Sequence, residues 1–166
     1  MAASIDAFKG MANSFDFNYG NRFLVKIGGA GELFSAYCEQ ASLPGRSFAT
    51  SDVKFGTGFT QKMPYNSIFD DVSMTFKLDS GMRIKKFFDA WQNKIHNKGT
   101  GYMEYYDNYK EQVMIEVYNR QDEVVYTCTI FDAYPISVAS TDISHSSQNE
   151  ILKLNVTFAY KTWGSQ

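Results

Sequence analysis

The stretch Asp71-Val72-Ser73-Met74-Thr75-Phe76-Lys77-Leu78 alternates without a break. Val72, Met74, Phe76 and Leu78 fall on one side, and Asp71, Ser73, Thr75 and Lys77 on the other. A period of two over this length belongs to a strand with one dry face and one wet face. The period then changes. Between residues 81 and 97, Ile84, Phe87, Phe88, Trp91 and Ile95 recur at three- and four-residue spacing, while Lys86, Asp89, Asn93 and Lys94 fall off the stripe. That spacing predicts one amphipathic helix whose core face those five residues form. Asp79 or Ser80 is placed to cap its start, and Gly99 to stop it.

Working outward, every other periodic segment reads as strand. Arg22 to Ile27 alternates, with Phe23, Val25 and Ile27 on one face, and Leu33 to Glu39 reads as its return across the Gly28-Gly29-Ala30-Gly31 turn. Gln112–Tyr118 and Glu123–Phe131 form a second pair around Asn119-Arg120-Gln121-Asp122, the later strand turning Val124, Tyr126, Cys128 and Ile130 inward and ending at Pro135. Glu150 to Trp163 reads as one long closing strand, with Leu152, Leu154, Val156, Phe158 and Tyr160 on its apolar side. Pro64 to Asp70 reads as a connector, 100–110 as irregular and Tyr-rich, and 137–149 as a polar loop. The sum is about seven strands and one helix: a mainly β, antiparallel sandwich or small barrel flanked by a helix at 81–97.

Residues 47–65 stand apart. Two strands joined by Gly56-Thr57-Gly58 carry Ser, Thr and Lys on both faces, and few core-sized side chains beyond Val53, Phe55, Phe59 and Met63. A hairpin this polar has no core of its own, so it is expected to project and find its partner elsewhere. Residues 1–20 read as an arm leading into the fold, and 1–166 as a single domain.

Composition limits function. The 166 residues carry a formal charge of −2, with basic residues scattered, which gives no electrostatic case for wrapping nucleic acid. Fourteen Phe, eleven Tyr and two Trp favour strands and interfaces. No apolar run approaches a membrane span, and Met1 to Gly10 lack a signal-peptide pattern, so no membrane anchor is expected and the chain is read as folding in a cytoplasm. Two histidines leave little for catalysis. His96 ends the predicted helix, where a cation suits the dipole. His145 lies with Ser144 and Asp142 in one loop, whereas triad members converge from separate segments. Cys38 and Cys128 lack zinc-ligand spacing and read as free thiols among apolar residues. Asp70-Asp71 lacks further oxygen ligands, and the glycine turn lacks the Lys-Ser/Thr of a phosphate loop. Tyr102, Tyr105, Tyr106 and Tyr109 are flanked by Glu104, Asp107 and Glu111, so core-edge packing or a subunit interface is preferred over base stacking. No enzyme, metal or cofactor is expected.

Several stretches, taken in order, carry a likeness. They are Asn21-Arg22-Phe23-Leu24-Val25-Lys26-Ile27, Cys38-Glu39-Gln40-Ala41-Ser42-Leu43-Pro44-Gly45, Ile68-Phe69-Asp70-Asp71-Val72, Lys85-Lys86-Phe87-Phe88-Asp89-Ala90-Trp91-Gln92, and the closing run from Asn149 to Trp163. Together they resemble the tail tube proteins of T-even-like contractile-tailed phages, a family related to injection-system tubes.

The resemblance implies hexameric rings that stack into a hollow virion tube, assembled in the host cytoplasm inside a sheath protein. The implied partners are the tape-measure protein, baseplate and tail terminator proteins, and genomic DNA passing without sequence specificity. It implies that Ser47, Val53, Phe55, Phe59, Lys62 and Met63 of the hairpin touch neighbouring subunits or rings. The polar faces Ser73, Thr75, Lys77 and Lys153, Asn155, Thr157 are candidates for the channel wall, although the same faces suit bulk solvent or a sheath. Three rivals stay open: a baseplate tube-initiator that forms a ring but no polymer, a bacterial or extracellular injection-system tube protein, and, from another class, a small-ligand-binding β-barrel with an apolar cavity.

Overall fold

The computed structural model describes Asn18 and residues 20–28, 33–141, 143–144 and 151–166. Most of the expected arm at 1–20, the middle of the glycine turn, and Asp142 and His145 lie outside the described residues.

Two half-sheets share one long strand, β7 (Val124–Val138). In the first half, β1 (Phe23–Ile27) pairs with β6 (Glu111–Tyr118), β6 pairs with β7, and β9 (Thr162–Ser165) lies on the other side of β7. In the second half, the end of β7 pairs with β8 (Lys153–Ala159), β8 with β5 (Val72–Lys77), and β5 with β2 (Cys38–Ala41). All pairings are antiparallel, and β3 (Arg46–Lys54) and β4 (Thr60–Phe69) form a separate two-stranded sheet. The order β1-β6-β7-β8-β5-β2 leaves β1 and β2 as unjoined ends. The chain is therefore a mainly β, antiparallel sandwich with one main helix, and the described strands do not close into a barrel.

β7 turns the corner at Asp132, whose φ of 55° lies in the left-handed region. Phe131 still pairs with Thr162 of β9, while Tyr134 pairs with Ala159 of β8. The strand thus continues through Pro135 instead of ending there. Pro135 sits beside the register shift on β8, where a missing N–H is tolerated. The last strand bends at the same corner. Residues 150–163 are not one strand: β8 stops at Ala159, and β9 begins at Thr162 on a different partner. Apolar alternation runs across the break because Tyr160 and Trp163 both pack on the core.

The segment from Leu33 is likewise not a return strand for β1. It forms a short helix, α1 (Leu33–Tyr37), then β2, which pairs with β5. Phe34 drives this, because a helical turn sets its ring 4.6 Å from Phe87 and 5.8 Å from Phe88. The 100–110 region contains one helical turn, α3 (Tyr106–Tyr109).

The main helix, α2, spans Arg83–Ile95, shorter at both ends than expected. Met82 precedes it with φ 53°, and Asp79 Oδ1 reaches past it to accept the Arg83 N–H at 2.8 Å. A capping carboxylate near an N-terminus also suits the helix dipole. After Ile95 the chain is extended, and Gly101, not Gly99, takes the left-handed conformation, at φ 72°.

The core lies between the half-sheets and under α2. Val25, Ile27, Met74, Phe76, Ile115, Ile130, Leu154 and Phe158 are fully or almost fully buried. Phe88 is sealed among Phe76, Phe158, Phe34 and Trp91, with ring centroids 5.3 to 6.3 Å apart. Burying each such side chain contributes about 1.5–3 kcal/mol, so this aromatic knot anchors helix to sheet.

Candidate assembly surfaces

The helix stripe settles inward: Ile84, Phe88 and Trp91 are buried, and Phe87 and Ile95 pack partly buried against the core. Two open surface grooves lie beside the helix. One, of about 270 Å³, is lined by Gly28, Phe87, Ala90, Trp91, Lys94 and Glu111. Among the described residues no three or more His, Cys, Asp or Glu side chains gather as a metal site. Cys38 and Cys128 are both free, and burial pushes the Cys38 thiol up to about 11.

The six polar strand residues singled out above come together as one block. β5 and β8 pair in a register that sets Ser73 opposite Thr157, Thr75 opposite Asn155, and Lys77 opposite Lys153. Thr75 Oγ1 donates to Asn155 Oδ1 at 2.8 Å. Two lysines directly opposite repel. Glu39 of β2 resolves this: its carboxylate lies 2.8 Å from Lys153 Nζ and 3.9 Å from Lys77 Nζ. The hydrogen bond from Lys153 holds the Glu39 carboxyl below its ordinary pKa. Ser42 extends the block, its hydroxyl accepting from the Ser73 N–H at 2.9 Å. Sequence reading missed Glu39 and Ser42 because it assigned their strand to the wrong neighbour.

The β3–β4 hairpin is the opposite of a core element. None of its residues is buried. Ser47, Phe55, Lys62 and Met63 are exposed, Val53 is half-buried, and Phe59 at the tip is 89% exposed. β4 runs through Pro64 to Phe69, so the expected connector is strand. Pro64 is accommodated at a bulge, since Ala49 pairs with Asn66 and Thr50 with Pro64. Tyr65, left over between them, is exposed. Gly56 turns the tip with φ +63°, a conformation a side chain would strain. A lone two-stranded hairpin is marginal in water, and among the described residues this long one meets the core side at its base, where Phe69 lies 6.2 Å from Tyr160.

The tyrosines after α2 divide. Tyr106, Tyr109 and Tyr134 pack edge to face, 5.5 to 5.9 Å apart. Trp91 Nε1 donates to the Tyr109 carbonyl at 2.7 Å, Tyr106 Oη donates to the Asp132 carbonyl at 2.9 Å, and Lys110 lies 3.4 Å from the Asp132 carboxylate. The three tyrosines pack on one another and are tied to the buried Trp91 through the Tyr109 carbonyl. Tyr102, Met103 and Tyr105 instead stand out, Tyr105 at 82% exposure.

Strand ends without a second neighbour among the described residues, an exposed hairpin and a hydroxyl- and amide-rich sheet face are the surfaces this fold presents. The comparisons give the fold its family. The profile described as Phage tail tube protein matches residues 12–166, and the chain belongs to that family of structural tube proteins. It is 24% identical over 92 residues to the baseplate tail-tube junction protein of Enterobacteria phage T4, a match that covers 55% of this chain and 28% of that longer protein. Among solved structures it is similar to a chain of the sheath-tube complex of an extracellular contractile injection system, PVC, in its extended state. That likeness has a TM-score of 0.70 at 22% identity and covers 99% of both chains. It is also similar to a chain of the tube-terminating cap of the anti-feeding prophage, with a TM-score of 0.71 at 24% identity over 90% of this chain and 91% of that one. The shared fold is thus that of contractile-injection tube components.

Proposed function

We propose that the chain is the structural subunit of a phage tail tube, forming hexameric rings that stack into a hollow channel. The observation that carries this reading is the β3–β4 hairpin: 24 residues from Arg46 to Phe69 with no buried member, meeting the rest of the described chain at its base, where Phe69 lies 6.2 Å from Tyr160. On this reading neighbouring copies supply that partner, through the hairpin residues Ser47, Val53, Phe55, Phe59, Lys62 and Met63.

The half-sheet β2-β5-β8-β7 supplies the channel wall. Its outer strands are β2 and the stretch of β7 beyond Ala133, each paired on one side only among the described residues, and they join those of adjacent copies, which turns unpaired backbone groups from a liability into the ring contact. Its wet face presents Ser73, Thr75, Lys77, Lys153, Asn155 and Thr157, with the lysines neutralised in part by Glu39. A wall of hydroxyls and amides without a strong positive field lets a tape-measure protein, and later DNA, pass without sticking. On this reading a sheath surrounds the tube, and baseplate and terminator proteins cap it; the similar chains come from a sheath-tube complex and a tube-terminating cap. The tube sits in the virion tail and is assembled in the host cytoplasm.

A second reading has its own observation. The match to a baseplate tail-tube junction protein favours a ring that initiates a tube without polymerising. Size-exclusion chromatography with light scattering tests ring formation, since hexamer mass supports both readings and a monomer at every concentration refutes both. Growth beyond the hexamer separates the tube subunit from the initiator.

A further inference from the structure

We infer that the β3–β4 hairpin of one copy docks on the aromatic loop Tyr102–Tyr105 of a neighbouring copy. This deepens the tube reading and rests on it: that reading gives the hairpin a partner, and this inference names the surface.

The two patches match in chemistry. From Arg46 to Phe69 the hairpin carries Arg46, Lys54 and Lys62 against a single acid, Asp52. Neither Lys54 nor Lys62 has an ion-pair partner among the described residues, though Asp52 stands opposite Lys62 in the register, and the exposed rings of Phe55 and Phe59 lie at the tip on the other face of the hairpin. From Tyr102 to Tyr109 the loop carries Glu104 and Asp107 and no cation. Asp107 is already held by Lys110 at 2.6 Å. The Glu104 carboxylate accepts from Asn108 Nδ2 at 2.7 Å and meets no cation among the described residues. It stands between Met103 and Tyr105, both mostly exposed, with Tyr102 beside them.

A net-basic hairpin with exposed rings at its tip, and an exposed aromatic loop whose Glu104 meets no cation among the described residues, are complementary between copies. Rings bury against rings, and the lysines reach the carboxylate or an aromatic face. The loop is also firmly based. His96 and Met103 form a bridge, the Glu104 N–H donates to the Ile95 carbonyl at 2.9 Å, and Trp91 pins Tyr109. The hairpin therefore meets a preformed surface. Because the patches differ, the contact is heterologous and propagates from copy to copy instead of closing as a two-fold dimer.

Charge exchange tests the pairing. Lys54→Glu with Lys62→Glu, and separately Glu104→Lys, should each raise the concentration needed for assembly by at least about tenfold, because like charges then face each other across the contact. All three changes in one chain should bring assembly back to within about threefold of the native chain, since the pairs are restored with their signs reversed. Lys62→Glu sets a like charge opposite Asp52, but the hairpin buries no residue, so each variant should melt within about 2 °C of the native monomer, which separates lost assembly from lost folding. In parallel, Phe59→Cys combined with Tyr105→Cys, oxidised after assembly, should give a covalent ladder of multiples that neither single variant gives. Restored assembly and the ladder support the inference. Single reversals that assemble like the native chain, or a triple variant no better than the hairpin variant, overturn it and leave the tube reading intact. A native chain that never assembles overturns both.

Discussion

Phe88 concentrates the energetics of this fold at one position. It is fully buried against rings from α1, β5 and β8, and lies nearly parallel to Trp91 at 10°. Phe88→Ala should cost about 3–5 kcal/mol in denaturant unfolding, the range for emptying an aromatic core site. Charge matters at Glu116, whose side chain is only 12% exposed beside Lys26 Nζ at 2.8 Å. The Lys26 hydrogen bond, and then that from Tyr118, lower its pKa from the ordinary 4.5. A carboxyl depressed in the folded state adds stability that is fully present above 4.5 and is lost as pH falls through the folded value. Thermal melts of the native chain should therefore drop on acidification below that point, and Glu116→Gln should lose stability at neutral pH while flattening the acid limb. A variant with an unchanged acid limb would count against this pairing. Residue roles of this kind were only partly legible in the sequence. The helix stripe Ile84, Phe88 and Trp91 was readable because its period is local. Glu39 was not, because its role depends on which strand lies beside it.

At the scale of elements, legibility followed the same rule. β5 and α2 stood out because each period is unbroken. The corner shared by β7 and β8–β9 did not, because Pro135 suggested an end where the register shift tolerates it, and the apolar residues Tyr160 and Trp163 carried the strand pattern across a real break. The hairpin's polarity was visible, but its full reach to Phe69 was hidden by Pro64, which sits at a bulge. Two predictions belong here. Met82→Gly should stabilise the chain by about 0.5–1 kcal/mol, because glycine relieves the left-handed backbone at φ 53° just before α2. Destabilisation in the same melt would mean that the half-buried Met82 side chain matters more than its backbone. Replacing residues 50–64 with a short Asn-Gly turn should change monomer stability by no more than about 1 kcal/mol, since that part of the hairpin buries no residue, yet abolish assembly by light scattering. A large loss of monomer stability would show the hairpin to be part of the fold.

At the scale of the whole molecule, the described strands form a sandwich whose sheets stop short of closure. Sequence patterns gave the mainly β class and the single main helix, but closure is a property of edges, and edges carry no local signature. Those same edges, with the hairpin and the polar block on β5 and β8, motivate the claim that the chain completes itself only among copies. Negative-stain electron microscopy of the purified chain over a concentration series tests that claim most directly. Hollow rods built of stacked six-fold rings that lengthen with concentration are expected. Monodisperse single particles without rings at every concentration would contradict it.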